Sequence, residues 1–191
     1  MIDSEGIAKE IVTDIIIYPL EKDKLKKTLK NIYKHVVEAN NTMGLHIHVS
    51  FFDPLTYYVL FSNSFRTFFI RRLAKKFPGE YKMRSQNRYC RNNYPRWYWY
   101  QYVTSWGSDR YKAINFIDAY LEHRTFEFRI FPATQDYNKV LEYVDFVYKT
   151  IIEYLERREK AKYEFEHKIE SEKHKRKAIV RLFRVKENTK P

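Results

Sequence analysis

The chain has 191 residues, 44% of them hydrophobic, and its 36 Lys and Arg against 24 Asp and Glu give a net charge of +12. This composition excludes a disordered chain, predicts a single sizeable core, and favours anionic partners such as nucleic acid, phosphates or an anionic lipid surface. The single cysteine, Cys90, excludes an intrachain disulfide, and the four scattered glycines exclude a glycine-rich phosphate loop. No apolar run reaches the length of a membrane span and no signal-peptide pattern is seen, so we expect a cytoplasmic location.

Hydrophobic periodicity predicts two strands and two helices in the first part of the chain. A strand is predicted over Lys9–Ile17, and a helix over Glu21–Ala39. The apolar, β-branched run Met43–Phe52 predicts a second strand. Asp53 has the features of an N-cap before a proline, so one helix is predicted from Pro54 to about residue 77, ended by the proline–glycine pair that follows.

The second part begins with a segment rich in Arg, Tyr and Trp, Glu80–Gly107. A helical piece, "IDAYLEH", precedes a strand over Thr125–Phe131, and a long helix is predicted from Asn138 to about Lys175. The apolar stripe of this helix is lost after Leu155. We therefore predict that an α+β domain spans residues 1–155 and that a charged helical extension with a basic tail spans residues 156–191. That helix is expected to be a solvated arm, or to pair with a partner chain or a second copy of this one.

Two of the predicted strands each carry polar residues on one face. Side chains alternate along a strand, so His46 and His48 point the same way, as do Glu127 and Arg129. If these strands share a sheet, the four side chains line one cleft over an apolar core. Imidazole and carboxylate groups bind divalent cations, and a guanidinium suits a phosphate. The pattern alone leaves open a solvent-facing strand with incidental histidines and a surface ladder of ion pairs.

Four segments in order, "EGIAKEIVTDIIIYPL", "GLHIHVS", "RYKAINF" and "HRTFEFRIFPAT", resemble the amidoligase family over about Asp3–Leu155. The resemblance implies a glutamine synthetase-like catalytic-domain half, an antiparallel sheet with helices packed on one face. It also implies an ATP-dependent carboxylate–amine ligase that forms an amide through an acyl phosphate. ATP and Mg²⁺ or Mn²⁺ are the implied cofactors, and the substrates would be a carboxylate and an amine, as small molecules or within a peptide.

The resemblance also implies roles for individual residues. His46 and Glu127 would bind the metal, His48 would lie near the transferred phosphate or acyl group, Arg129 would contact the phosphate, and Glu10 would lie on the substrate or metal side. Contacts to the nucleotide, the substrate or another anion are implied for Lys112, Asn115, Arg84, Arg88 and Arg91.

The family's first strand supplies an E-x-E pair of metal carboxylates upstream of its "E-I-V" strand. The pattern in this chain begins after that pair. We therefore expect a truncated or degenerate member, or one that receives this strand from another chain, and as an origin we expect a phage or mobile element.

A second interpretation is a rolling-circle initiator or transposase of the HUH class, which also uses a His-hydrophobe-His strand to bind a divalent ion. In that class a helix tyrosine attacks single-stranded DNA. The long predicted helix carries three candidates, Tyr143, Tyr148 and Tyr154. This interpretation leaves the segments "TFEFRIF" and "RYKAINF" unexplained.

A third interpretation is a nucleic-acid-binding protein without catalysis. Basic groups that alternate with stacking aromatics are typical of single-stranded nucleic acid sites. In the segment Tyr81–Tyr111, the arginines Arg88, Arg91, Arg96 and Arg110 are interleaved with the aromatics Tyr89, Tyr94, Trp97, Trp99 and Trp106. A folded lid whose rings pack on the core explains the same composition, and we favour that explanation over nucleic-acid binding.

Overall fold

The computed structural model describes residues 12–35, 43–87, 90 and 112–171, with side chains except at 117–118 and 163–171. It confirms an α+β chain with a small antiparallel sheet and a long C-terminal helix. The elements in chain order are α1 (Lys22–Ile32), β1 (Gly44–Val49), α2 (Pro54–Leu60), α3 (Asn63–Lys76), α4 (Pro78–Ser85), β2 (Ile114–Asn115), α5 (Ile117–His123), β3 (Phe126–Pro132) and α6 (Tyr137–Ser171).

The chain divides into two compact units, Met1–Ile151 and Ile152–Pro191. The first contains the sheet and every helix from α1 to α5. Helix α6 begins in the first unit and continues through the described part of the second. The predicted boundary after residue 155 stays a prediction.

The sheet has three strands in the order β1-β3-β2, and both pairings are antiparallel. Strand β3 lies in the centre, which explains why its sequence, "FEFRIFP", is almost entirely buried. Glu127 of this strand is buried, so its carboxylate must find its partners within the protein. This requirement is what concentrates polar contacts around Glu127.

The apolar side of the sheet is packed with aromatic rings. Phe128 of β3 lies 4.8 Å from Phe69 of α3 between ring centroids, and Phe131 stacks on Tyr143 of α6 at 4.7 Å. All four of these rings are buried. Side chains alternate from Glu127 to Arg129, so these two lie on the side opposite Phe128. The strand register shifts between Phe128 and Phe131, which allows Phe131 to lie on the same side as Phe128 although it is three residues later.

The first predicted strand is wrong over its described part. Residues 12–17 have no regular secondary structure. Val12 is 79% exposed and Ile15 is 87% exposed, whereas Ile16 packs against the cluster of Leu25 and Leu29, so neither face of the predicted strand is buried along its length. An apolar, β-branched segment forms a strand only when a neighbouring strand pairs with it. No described strand pairs with this segment.

The predicted helices of the first part also differ in their bounds. Helix α1 ends at Ile32, whereas the sequence predicted continuation to Ala39. The single helix predicted from Pro54 is two helices, because Ser62 adopts an extended conformation and its side chain accepts a hydrogen bond from Phe65 N, 3.1 Å, as the N-cap of α3. The predicted end near residue 77 is confirmed, since α3 ends at Lys76, and the proline that follows begins α4. The Asp53 N-cap is confirmed by its hydrogen bond from Leu55 N, 3.0 Å.

Helix α1 packs on the start of α6. Leu25 and Leu29 form a buried cluster with Val140. At the edge of this cluster, Asp145 of α6 accepts hydrogen bonds from the Tyr18 hydroxyl and from Lys22 Nζ, the latter at 2.7 Å. Burial raises the pKa of Asp145, but these two hydrogen bonds and the charge of Lys22 lower it by more. The net effect is a pKa below the usual value for an aspartate.

Replacing Asp145 with Asn is expected to lower the free energy of unfolding by about 1 kcal/mol at pH 7, a modest value because the pair is partly exposed. The folded-state pKa is below the unfolded value of about 3.9, so the carboxylate stabilises the fold above that pH and loses its effect as pH falls through the folded pKa. Urea unfolding at pH 7 and at progressively lower pH should show wild type and variant converging. The exposed Asp14→Asn variant serves as control, and a difference independent of pH would contradict the assignment.

Among the helices of the described ranges, none combines the length and apolar character needed to cross a membrane.

Candidate functional site

Three polar residues form a row across the polar side of the sheet. The strand register pairs His48 with Glu127 and Asn115 with the same Glu127. Directly paired residues of antiparallel strands have their side chains on the same side of the sheet. The row therefore places an imidazole and a carboxamide on either side of a carboxylate.

Glu127 is the centre of this arrangement. Its Oε1 atom lies 2.9 Å from His46 Nδ1 and accepts a hydrogen bond of 2.9 Å from Arg129 Nη1. Its Oε2 atom accepts from Asn115 Nδ2 at 2.8 Å. His48 Nε2 is farther away, 3.6 Å from Oε1. The structure thus brings together His46, His48, Glu127 and Arg129, the four residues that the sequence placed on one sheet face.

The surroundings of Glu127 keep its side chain ionised. Burial raises the pKa of this carboxyl, but contacts with His46 and His48, the hydrogen bond from Asn115 and the charge of Arg129 lower it. The contacts that lower the pKa outweigh the effect of burial, and the pKa of Glu127 lies well below its usual range. A permanently charged carboxylate at the base of a polar site can attract a cation or balance neighbouring cationic groups.

The histidines are the accessible members of the site. The side chain of Glu127 is 6% exposed and that of Arg129 is 13% exposed, whereas His46 is 28% exposed and His48 is 38% exposed. A ligand approaching from solvent would therefore meet the imidazoles first and the carboxylate behind them.

His48 is oriented by a residue just before β3. Its Nδ1 atom lies 3.0 Å from Thr125 Oγ1, and its ring makes an edge contact with the ring of His123, 6.0 Å between centroids. A hydroxyl on one ring nitrogen directs the other nitrogen toward Glu127. Thr125 is thus a part of the site to which sequence analysis assigned no role, although alternation along the strand puts it on the same face as Glu127.

A bulge lies beside His46. Leu45 pairs with Phe131, but Ile47 pairs with Phe128, so His46 alone stands opposite both Arg129 and Ile130. A bulge of this kind interrupts the ladder of backbone hydrogen bonds and redirects side chains. Here it sets how Arg129 and His46 approach Glu127.

Arg84 lies beside the bulge and is 2% exposed. Its Nη1 atom donates to the carbonyl of Met43 and its Nη2 atom donates to the carbonyl of Arg129, each at 3.2 Å. Gly44 leaves room for this side chain, because a Cβ atom there would lie 2.6 Å from Arg84 Nη2. The arginine expected to contact an anion is instead bonded to the backbone of two strands.

Tyr57 bridges the other end of the same two strands. Its hydroxyl accepts a hydrogen bond from Phe51 N at 2.8 Å and donates to the carbonyl of Arg124 at 2.7 Å. Extending the pairing of Val49 with Phe126 outward by two residues places Phe51 opposite Arg124. The phenol therefore stands between two backbone groups that the register places opposite each other.

The remaining predicted site residues have different outcomes. Asn115 is buried and committed to Glu127, with its Oδ1 atom accepting from Ala119 N at 3.3 Å. Lys112 is also buried, two residues before β2. Glu10, Arg88 and Arg91 lie outside the described residues. Sequence analysis missed Tyr57 and Gly44; an isolated glycine at the start of a strand signals close approach of another group, and it could have indicated Gly44.

Within the described ranges, His, Cys, Asp and Glu side chains nowhere form a group of three or more that could hold a metal ion. The pair formed by His46 and Glu127 is the nearest to such a site. Two protein ligands leave most of the coordination sphere of a divalent cation to water or to a bound phosphate group.

One candidate of the HUH interpretation loses support. Tyr143 is 1% exposed and stacks on Phe131, so DNA cannot reach its hydroxyl in this fold. Burial and the nearby charge of Glu80 raise the pKa of its phenol, which makes the phenolate nucleophile less available. The arginines and aromatic residues named for the third interpretation lie outside the described residues.

No protein-family model matches the chain, and neither a curated protein nor a solved structure shows significant similarity to it. Membership of the amidoligase family therefore stays a prediction that rests on the four sequence segments.

Proposed function

We propose that the chain is an ATP-dependent carboxylate–amine ligase of the amidoligase type, with a glutamine synthetase-like sheet as its catalytic half. The observation that carries the proposal is the convergence of His46 and Arg129 on one oxygen of Glu127, each at 2.9 Å. The residues that meet are those to which the family resemblance gives the metal and phosphate roles. Incidental surface histidines have no reason to meet an almost fully buried carboxylate.

The two proposed ligands are in direct contact. His46 Nδ1 and Glu127 Oε1 are 2.9 Å apart, the length of a hydrogen bond. An imidazole nitrogen and a carboxylate oxygen are both groups that bind divalent cations. His46 and Glu127 would hold Mg²⁺ or Mn²⁺ together with nucleotide phosphates and water, and the ion would neutralise phosphate charge.

The reaction would proceed in two steps, phosphorylation of the acid and displacement of the phosphate by the amine. A carboxylate oxygen of the acid attacks the γ-phosphorus of ATP, which forms an acyl phosphate and releases ADP. The amine nitrogen then attacks the acyl carbon, the bond to the phosphate oxygen breaks, and the amide and inorganic phosphate leave after the nitrogen loses a proton. Protein groups assist phosphoryl transfer chiefly through positioning and charge neutralisation.

Arg129 and His48 have separate tasks in this scheme. Arg129, held by Glu127, presents a cation to the transferring phosphoryl group. His48 is more exposed and is oriented by Thr125, so it stands where an acyl phosphate or incoming amine would enter. An imidazole there can accept the proton that the amine loses.

The test begins with binding. Calorimetry should detect Mg-ATP binding to the wild-type chain. In His46→Ala the Kd should rise at least about tenfold, because charge-assisted contacts and metal ligation each contribute more than 1.4 kcal/mol. The exposed His35→Ala variant is the matched control and should bind as wild type does. Equal binding by wild type and His46→Ala would remove the metal assignment.

The second part of the test is chemical. With Mg-ATP and a panel of carboxylates, hydroxylamine replaces the amine and traps an acyl phosphate as a hydroxamate, which ferric iron colours. ADP release that depends on the carboxylate, together with hydroxamate formation, supports the ligase. Nicking of single-stranded DNA at a preferred sequence, with no ADP release, would favour the HUH interpretation.

A further inference from the structure

We infer that Arg84 is a positioning residue: its guanidinium, seated against Gly44, holds the bulge of β3 so that Arg129 stays in place opposite His46. This role differs from the anion contact that the sequence analysis expected for Arg84. The inference extends the proposed function, and its activity measurement rests on that function, but its structural measurements do not.

The first argument concerns the two carbonyls that Arg84 contacts. One belongs to Met43, the residue just before β1, and the other to Arg129 in the middle of β3; both bonds are 3.2 Å. The Met43 carbonyl also accepts a hydrogen bond from Ala133 N at 3.4 Å, so Arg84 is an additional donor there and connects the end of the strand pairing to the bulge. The planar fork of a guanidinium can supply two donors in fixed geometry, and a lysine ammonium cannot span two acceptors in the same way.

The second argument concerns Gly44. A Cβ atom at this position would lie 2.6 Å from Arg84 Nη2, which is too close for any side chain to be added without movement. The end of an arginine can usually move aside. Here Nη2 is bonded to the Arg129 carbonyl and the side chain is buried, so withdrawal breaks that bond. Gly44 and Arg84 therefore act as a matched pair.

The third argument concerns the helix that carries Arg84. The carbonyl of Arg84 accepts hydrogen bonds from Asn87 N and from the Cys90 thiol, both at 2.9 Å. Its backbone is thus fixed at the end of α4, and its side chain starts from a defined point. Helix α4 and strand β3 are in contact. Arg84 therefore connects helix α4 to the backbone of Arg129 and does not bind a ligand itself.

A double-mutant cycle tests the pair by urea unfolding of wild type, Gly44→Ala, Arg84→Met and the double variant. Gly44→Ala is expected to raise the unfolding equilibrium constant at least about tenfold in the wild-type chain but only about twofold when Arg84 is already methionine. Lys82→Met, an exposed substitution on the same helix, is the control and should show no such coupling. Equal effects of Gly44→Ala in both backgrounds would overturn the inference.

A spectroscopic measurement separates positioning from general destabilisation. In protein labelled with ¹⁵N histidine, Gly44→Ala and Arg84→Lys should shift the ring nitrogen signals of His46, while a core variant of similar stability, Leu73→Ala, should leave them in place. If Arg84→Met does not fold, Gly44→Ala and Arg84→Lys carry the test. Unmoved His46 signals in both variants would overturn the inference.

Mg-ATP calorimetry then connects position to function. If the proposed function holds, Gly44→Ala should weaken Mg-ATP binding at least about fivefold although Arg84 is still present, since displacement by about 1 Å impairs a positioned site. Wild type that binds no Mg-ATP contradicts the proposed function alone. Coupling absent from the unfolding cycle contradicts the positioning role alone.

Discussion

Replacing Glu127 with Gln is expected to destabilise the fold by about 3–5 kcal/mol, the range found when one partner of a buried charge pair is removed. The variant keeps the shape of the side chain but leaves Arg129 without its carboxylate. Only one of the two carboxylate oxygens survives, so the new amide NH₂ must face either Arg129 and His46 or the Nδ2 atom of Asn115. Relieving the second contact requires Asn115 to flip, which sacrifices its bond from Ala119 N.

Urea unfolding at pH 7 measures this loss, and Glu122→Gln is the matched control. Glu122 is 63% exposed and its carboxylate lies 3.6 Å from Nε2 of His123, which is also exposed, so its replacement should change stability by no more than about 0.5 kcal/mol. The additional replacement of Arg129 by Met in the Glu127→Gln background should recover part of the loss, because no uncompensated cation remains. A loss below about 1 kcal/mol for Glu127→Gln would contradict the assigned contacts.

Replacing Phe128 with Ala is expected to cost about 3–5 kcal/mol through the cavity that it leaves on the apolar side of the sheet. The ring is fully buried and packs on Phe69 at 4.8 Å and near Phe65 at 6.5 Å between centroids. Phe128 also follows Glu127 directly, and its backbone pairs with both neighbouring strands. Collapse of the cavity should therefore disturb the polar side as well as the core.

The control for this variant is Phe52→Ala. Phe52 is 95% exposed, so its replacement should change the free energy of unfolding by no more than about 0.5 kcal/mol. The two variants remove the same atoms from the chain, and urea unfolding compares them directly. Similar losses for both would mean that Phe128 does not occupy the centre of the core.

The sequence was sufficient to predict which faces carry the site. The period-two alternation of "HIH" and "EFR" assigned His46, His48, Glu127 and Arg129 to polar faces, because strand geometry fixes side-chain direction locally. The apolar, β-branched composition that predicted a strand over Lys9–Ile17 was misleading at residues 12–17, where no described strand pairs with the segment. Local pattern determines the direction of a side chain; the presence of a neighbouring strand is a tertiary property.

The contacts that organise the site could not be predicted in this way. The bulge opposite His46 adds one residue to β3, and nothing in "FRIF" marks the position. Arg84 contacts carbonyls 41 and 45 residues away, and Tyr57, although only six residues after Phe51, contacts the carbonyl of Arg124 67 residues away. Only the folded chain shows which carbonyls they contact. The division between α2 and α3 depends on the hydroxyl of Ser62, a local signal that the continuous apolar stripe on both sides obscured.

The bridging hydroxyl of Tyr57 has a consequence for folding fidelity. A strand whose residues alternate as in "LHIHV" has a competing alignment: sliding β1 by two residues keeps every side chain on its proper face and brings His46 to the place of His48. Alternation alone does not penalise this misalignment. Tyr57 does, because its phenol is bonded to one particular amide, that of Phe51, and one particular carbonyl, that of Arg124. His46 and His48 could each occupy the same place opposite β3, and the two hydrogen bonds of Tyr57 favour the native one of these two alignments.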